Sequence, residues 1–252
     1  MRIITTACGL TIVLPVLLSG VCLAQTPSGS KPPKPAAGPS YDPTDQYEVQ
    51  QIEGWRVLVN GRFRHQEPAL CEQALKLLGL QLYQITRKVP AGPLAKLHKV
   101  TLWVEAAEPH HPCMAYHPNA GWLREHGMNP EKAKCVEVAN ARHFLTWTLD
   151  QPWMVLHELA HAYHDQFLGG YAAPEIRAQF DRAMQAKLYD AVQRINGRTE
   201  RAYAAVNPME YFAETTEAFF GTNDFYPFVR SELKHHDPAM FQLLEKVWEV
   251  GK

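Results

Sequence analysis

The sequence predicts an α+β domain: a small twisted sheet from the N-terminal half covers a central helix, and a mainly helical C-terminal half packs beside it. Three observations lead there. Short β-prone runs are confined to the earlier part of the chain, at residues 47–52, 55–59, 99–104 and 134–138. After residue 174, apolar residues recur at helical spacing. Between these regions lies an apolar stretch, residues 151–168, that carries His157, Glu158 and His161 in the order His-Glu-x-x-His.

Length and composition fit one globular core: 252 residues, 46% hydrophobic and 20% charged. A formal net charge of −1 with no basic block argues against a nucleic-acid or anionic-membrane binder. Residues 1–24 read as a secretory signal, with Arg2 as the charged start, an apolar run over 10–21, and cleavage after Ala24, before Gln25. The run is short for a membrane span, and no other segment is long and apolar enough to cross a bilayer. Lipid anchoring at Cys22 is the alternative, although Val21 stands where a small residue would be expected. The expected location is therefore secreted or periplasmic. Residues 25–46 are rich in Pro, Ser and Gly and offer little to bury, so they read as a linker, or alternatively as a proline-rich docking peptide. The folded domain is expected over 47–252.

Within it, the runs at 47–52 and 55–59 form a hairpin turned at Glu53-Gly54, followed by a second turn at Asn60-Gly61. Leu70, Ala74, Leu77, Leu78, Leu82 and Ile85 give residues 68–88 an amphipathic helical face. A break at 90–93 precedes the third strand candidate. Cys113 and Cys135 bracket a segment full of turn signals, so a disulfide between them is expected to tie it down, leaving Cys71 as a buried free thiol. A metal site there, using His110, His111 or His117, has no recognised ligand spacing.

The motif stretch is expected to be a helix, with Asp150 as cap, Pro152 near the start and Gly169-Gly170 as the stop. On a helix, residues i and i+4 share a face, so His157 and His161 converge on one cation while Glu158 leans over the open coordination position. Zinc is the commonest partner for that arrangement, and one ion per chain is expected. His164 is attached about 10 Å along the helix from His157, too far to share the ion, and is assigned a supporting or surface role. Residues 174–195 are expected to form one long helix ended by Asn196-Gly197. In 207–220, Glu210, Glu214 and Glu217 recur along one face of a helix crowded with Tyr211, Phe212, Phe219 and Phe220. Carboxylates on so apolar a helix call for a positive partner; a solvated acidic face is the other reading. Asp237-Pro238 starts a last helix.

Glu210 lies beyond the interval usual for thermolysin-like enzymes. The segment Asn207-Pro-Met-Glu-Tyr-Phe-Ala-Glu214 resembles instead the Asn-x-x-Glu-Phe-Phe-Ala-Glu stretch of the anthrax lethal factor and Pro-Pro endopeptidase superfamily. Tyr203 stands four residues ahead of Asn207, as that family's active-site tyrosine does. The resemblance spans residues 153–220 and departs from the pattern at Pro208 and Met209. It implies a zincin-like (gluzincin) fold with zinc held by His157, His161 and Glu210. It also implies Glu158 as general base, Tyr203 as donor to the oxyanion, and Glu214 as the carboxylate that orients a ligand histidine. Glu217 receives no part, so its replacement is expected to matter little. The expected function is a secreted zinc metallopeptidase acting on peptides or proteins. Two alternatives remain open here: an extracellular binding protein with a structural zinc, and a metallo-amidase acting on cell-wall cross-links.

Overall fold

A computed structural model describes residues 41–251. The signal read in residues 1–24 and the linker as far as residue 40 lie outside the described residues. The rest of that linker segment is tied to the domain: Asn60 Nδ2 and Arg62 Nε donate to Asp42 at 2.8 and 3.1 Å, and Asn129 Nδ2 donates to Thr44 Oγ1 at 3.0 Å.

Strands β1 (Tyr47–Ile52) and β2 (Trp55–Asn60) form the expected hairpin. Glu53 (φ 49°) and Gly54 (φ 94°) both take left-handed backbone, as a two-residue hairpin turn demands. The chain continues through α1 (Gly61–Gln66), α2 (Pro68–Thr86) and α3 (Ala91–Leu97) to β3 (Leu102–Val104). Asn60 caps α1 by accepting from Phe63 N at 3.0 Å, which turns the expected loop into helix. Next come β4 (Met114–Tyr116), α4 (Ala120–Glu125), β5 (Val136–Val138), α5 (Ala141–Trp147) and α6 (Met154–Phe167), which carries the histidine motif. The C-terminal half holds α7 (Pro174–Gln185), β6 (Val192–Gln193), β7 (Thr199–Glu200), α8 (Pro208–Phe220), α9 (Arg230–His236) and α10 (Pro238–Val247). The class is α+β, and none of the described helices is long and apolar enough to cross a membrane.

The five-stranded sheet runs β1-β2-β3-β5-β4, with β2, β3 and β5 parallel and the two edge strands antiparallel to their neighbours. Alternation sends Val57, Val59, Leu102, Val104, Val136 and Val138 into the main core with α2 and α6. On the opposite face Tyr47, Leu58 and Trp103 form a second small cluster. That face also carries a buried charge network. Lys132 Nζ donates to Glu105 Oε1 at 2.7 Å and pairs with Glu137, whose other oxygen meets His117 Nε2 at 2.6 Å. Asn60 Nδ2 donates to Glu105 Oε2 at 2.8 Å. Each charge thus has a partner, which a buried charge requires. Glu137 stands beside Ala115 in the β4–β5 register, and His117 directly follows β4, so the network fastens the edge strand from behind.

Three expectations are corrected. The Cys113–Cys135 bridge is not formed; both are free thiols, as is the buried Cys71. Ala139 N donates to Cys113 O at 2.8 Å and His117 N to Cys135 O at 3.0 Å, so the β4–β5 register offsets the two cysteines by four residues. Four residues of strand span about 13 Å, whereas a disulfide needs Cα atoms within about 7 Å. Cys113 packs its sulfur 3.3 Å from Met154 Sδ in the main core, while Cys135 lies against the Tyr47–Leu58–Trp103 cluster. Secondly, the helix expected over 174–195 stops at Gln185. Lys187 adopts left-handed backbone (φ 57°), and Asn196-Gly197 turns the β6–β7 hairpin instead of ending a helix. Val192, which the i, i+4 apolar spacing places on the expected helical face, is buried here in β6 instead, so apolar spacing alone does not separate the two arrangements. Thirdly, α6 begins at Met154 behind Trp153, without a side-chain cap from Asp150.

Gly221 ends α8 against the ring of Trp153: a Cβ there would lie 2.0 Å from Cε2 of the indole. Gly221→Ala is therefore expected to destabilise the fold by about 1–3 kcal/mol, the usual cost of overpacking. Thermal denaturation checks this, at about 2–4 °C per kcal/mol for a domain of this size. An unchanged Tm would show that the indole gives way freely.

Candidate metal centre

Helices α6 and α8 pack against each other and bring the histidine motif to the acidic stripe. Asn207 caps α8, accepting from Met209 N at 2.8 Å and Glu210 N at 2.9 Å, and Pro208 fits the first turn. Glu210 therefore sits in the first turn of α8, where the helix dipole favours an anion. Its Oε2 lies 3.1 Å from His157 Nε2 and 3.2 Å from His161 Nε2. One ligand atom from each of the three residues falls within 4.8 Å of the others, a donor set that could hold a metal ion. Zinc–ligand bonds of about 2.0–2.1 Å imply tetrahedral ligand–ligand edges of about 3.3 Å, close to the two carboxylate contacts seen here. These residues fit a zinc ion.

The electrostatics agree with a site built for a cation. Burial pulls the His157 pKa down, but contacts with Glu210 and Glu217 outweigh it and hold the value well above the usual imidazole range. Burial works to raise the Glu210 pKa, yet the two imidazoles press it far below the usual carboxylate range. His157 Nδ1 donates to Glu217 Oε1 at 2.7 Å, which leaves Nε2 facing Glu210. The hydrogen bond to a motif histidine expected of Glu214 is made here by Glu217. Glu214 stands 3.8 Å from His157 Nδ1 and accepts from Asn223 Nδ2 at 3.1 Å. Both carboxylates are buried, and burial raises the pKa of each, with Glu217 adding to the effect on Glu214. His161 Nδ1 is buried without a hydrogen-bond partner in the structure.

Glu158 is half-buried beside the two histidines, and its Oε2 accepts from Tyr116 N at 2.8 Å. Tyr203 arrives on a short 3-10 turn, Tyr203–Ala205, with its ring centroid 6.3 Å from that of His157. Burial, then the neighbouring Glu210 carboxylate, push its hydroxyl pKa up to about 12, so the group stays protonated near neutrality. His164 has no surface role: it is fully buried against Tyr171 and Phe212, and burial lowers its pKa to about 4. His111 and His117 stack edge to face behind β4, 5.0 Å apart, and among the described residues no metal-holding group includes them.

His157, Glu158, His161, Tyr203, Glu210, Glu214 and Glu217 line one cleft of about 690 Å³. Edge strand β4 forms one side, and the segment from Arg201 to Val206, with Met209, forms the other. The antiparallel register directs the backbone groups of Met114 and Tyr116 away from β5; one of them, Tyr116 N–H, goes to Glu158. Sequence reading named Glu217 but gave it no part, and it did not single out Arg201 or Tyr116, which also line the cleft. Only Glu217 left a signal: it lies seven residues beyond Glu210, on the same stripe.

Residues 135–249 match the family model described as glucose-regulated metallo-peptidase M90. The matched span contains His157, Glu158, His161, Tyr203, Glu210, Glu214 and Glu217. Comparison with curated proteins and with solved structures found no match. The family match supports a metallopeptidase, hence a divalent metal, usually zinc, and peptide substrates.

Proposed function

We propose that the chain is a zinc-dependent metallopeptidase in which His157, His161 and Glu210 hold the ion. The observation that carries this is the convergence of two imidazole Nε2 atoms and one carboxylate oxygen, at 3.1 and 3.2 Å, inside a cleft that also contains Glu158. When bound, zinc supplies a Lewis acid that polarises the scissile carbonyl and acidifies a water. Glu158 accepts the proton of the attacking water and returns it to the departing amine nitrogen. The Tyr116 N–H holds one oxygen of Glu158, fixing the carboxylate while the other oxygen handles the proton. Tyr203, protonated at working pH, donates its hydroxyl to the developing oxyanion. Glu217 accepts a hydrogen bond from the Nδ1–H of His157 and so fixes the tautomer that leaves Nε2 free as a ligand.

The outer edge of β4, where the backbone groups of Met114 and the carbonyl of Tyr116 face away from β5, supports an extended peptide as substrate, added to the sheet edge by main-chain hydrogen bonds. The register of Tyr203, Asn207, Glu210 and Glu214 supports a relation to the lethal factor and Pro-Pro endopeptidase enzymes, with Glu217 taking over the orienting bond. The leader over residues 1–24 supports action outside the cytoplasm. Purified protein is expected to carry about one zinc per chain and to cleave a mixed peptide library. Chelation should abolish cleavage, and added zinc should restore it. Zinc-loaded protein that leaves both peptide and cell-wall libraries intact would overturn this reading in favour of a zinc-stapled binding protein.

A further inference from the structure

Two arginines line the cleft, and only one is neutralised. Arg194 meets Asp224 at 3.0 Å and Glu200 at 3.4 Å, and its guanidinium lies 4.8 Å from the ring centroid of Phe225. Arg201 forms no ion pair among the described residues; its one hydrogen bond runs from Nη2 to the carbonyl oxygen of Ala205, at 2.9 Å. That bond folds the side chain over the Tyr203–Ala205 turn, the same turn that presents Tyr203 to His157. A guanidinium has five N–H donors in a planar fork that matches a carboxylate, so most of this fork is unused. The acids that share the cleft are committed elsewhere: Glu210 to the two histidines, Glu158 to Tyr116 N, Glu217 to His157, Glu214 to Asn223 and Asp224 to Arg194. These same carboxylates would repel an acidic substrate, and Arg201, the cleft-lining arginine with no ion pair among the described residues, is placed to reverse that.

We propose that Arg201 is the specificity-determining residue of this cleft, engaging a carboxylate on the peptide substrate. The inference rests on the peptidase reading above and names the substrate class within it. Two sources present the same chemistry: an Asp or Glu side chain near the scissile bond, and the free C-terminal carboxylate of a short peptide. In the first case the enzyme is an endopeptidase with an acidic preference, and in the second it trims chain ends.

The test uses zinc-loaded full-length protein and matched quenched-fluorescence peptides. In one series a single Glu is walked across the scissile bond against Gln at each position; in the other, free-acid and amide C-termini are compared. The wild type is expected to favour the carboxylate-bearing member of one series by about 10- to 100-fold in kcat/KM, the scale of a charge-assisted hydrogen-bond pair. Arg201→Gln keeps a donor for the Ala205 carbonyl and should collapse that ratio toward one. Arg201→Glu should shift preference to Lys at the same position. A purely structural role for Arg201 would lower both members of each pair together and leave the ratio intact, which would overturn the proposal. So would a wild-type ratio near one in both series. Cleavage of neutral peptides alongside a flat ratio removes only this inference, whereas no cleavage of any peptide removes the peptidase reading as well.

Discussion

Replacing Glu158 with glutamine is expected to lower peptide cleavage by about 100-fold or more, the usual scale for a lost general base, while zinc content and Tm stay close to wild type. The amide oxygen of glutamine can still accept from Tyr116 N, so the cleft should keep its shape and lose only the group proposed to take a proton. Tyr203→Phe makes the complementary test. Its hydroxyl matters when negative charge develops on the substrate oxygen, so kcat should fall about 10- to 1000-fold with little change in KM. Single-turnover rates on zinc-loaded protein separate chemistry from substrate release. Full activity in Glu158→Gln would place the reaction elsewhere in the molecule.

The largest effect on metal retention is expected from Glu210→Ala. It deletes one of the three proposed ligands and leaves two imidazoles, which should turn tight binding into exchange with a weak chelator. Glu217→Ala should cost about 10- to 100-fold in zinc affinity, because the hydrogen-bond partner of His157 Nδ1 is lost while the three proposed ligands remain. Glu214→Ala should have a smaller effect, since that carboxylate stands 3.8 Å from the same nitrogen and bonds to Asn223. Competition with a zinc-binding dye gives all three affinities. A larger loss from Glu214→Ala than from Glu217→Ala would restore the assignment made from sequence and contradict the geometry.

That reversal shows where the sequence stops being informative. The spacing of His157 and His161 places two imidazoles on one face, and Glu210, Glu214 and Glu217 share a stripe by the same arithmetic. Which carboxylate meets which ring nitrogen depends on how α6 and α8 cross, and nothing local encodes that. The lost Cys113–Cys135 bridge has the same origin: turn signals mark a segment that needs fastening, but only the β4–β5 register says that the two sulfurs lie far apart. Strand β4 itself is three residues between Pro112 and Pro118, too short to show a period. The long helix expected over 174–195 failed for a different reason, since Asn196-Gly197 fits both a helix stop and a hairpin, and the hairpin prevailed.

The fastened edge strand bears on which proteins could be cut at all. Glu137, Lys132 and His117 hold β4 from behind, so the cleft has little freedom to adapt to a folded surface. A backbone can pair with such an edge only where its own N–H and C=O groups are free, which in a globular protein means a segment that has frayed or opened. The susceptibility of a given protein is then set largely by its own local opening free energy, so each additional 1.4 kcal/mol holding a segment closed slows its cleavage about tenfold. Among chains with equivalent residues around the bond, damaged, unassembled or partly unfolded ones would be cut first.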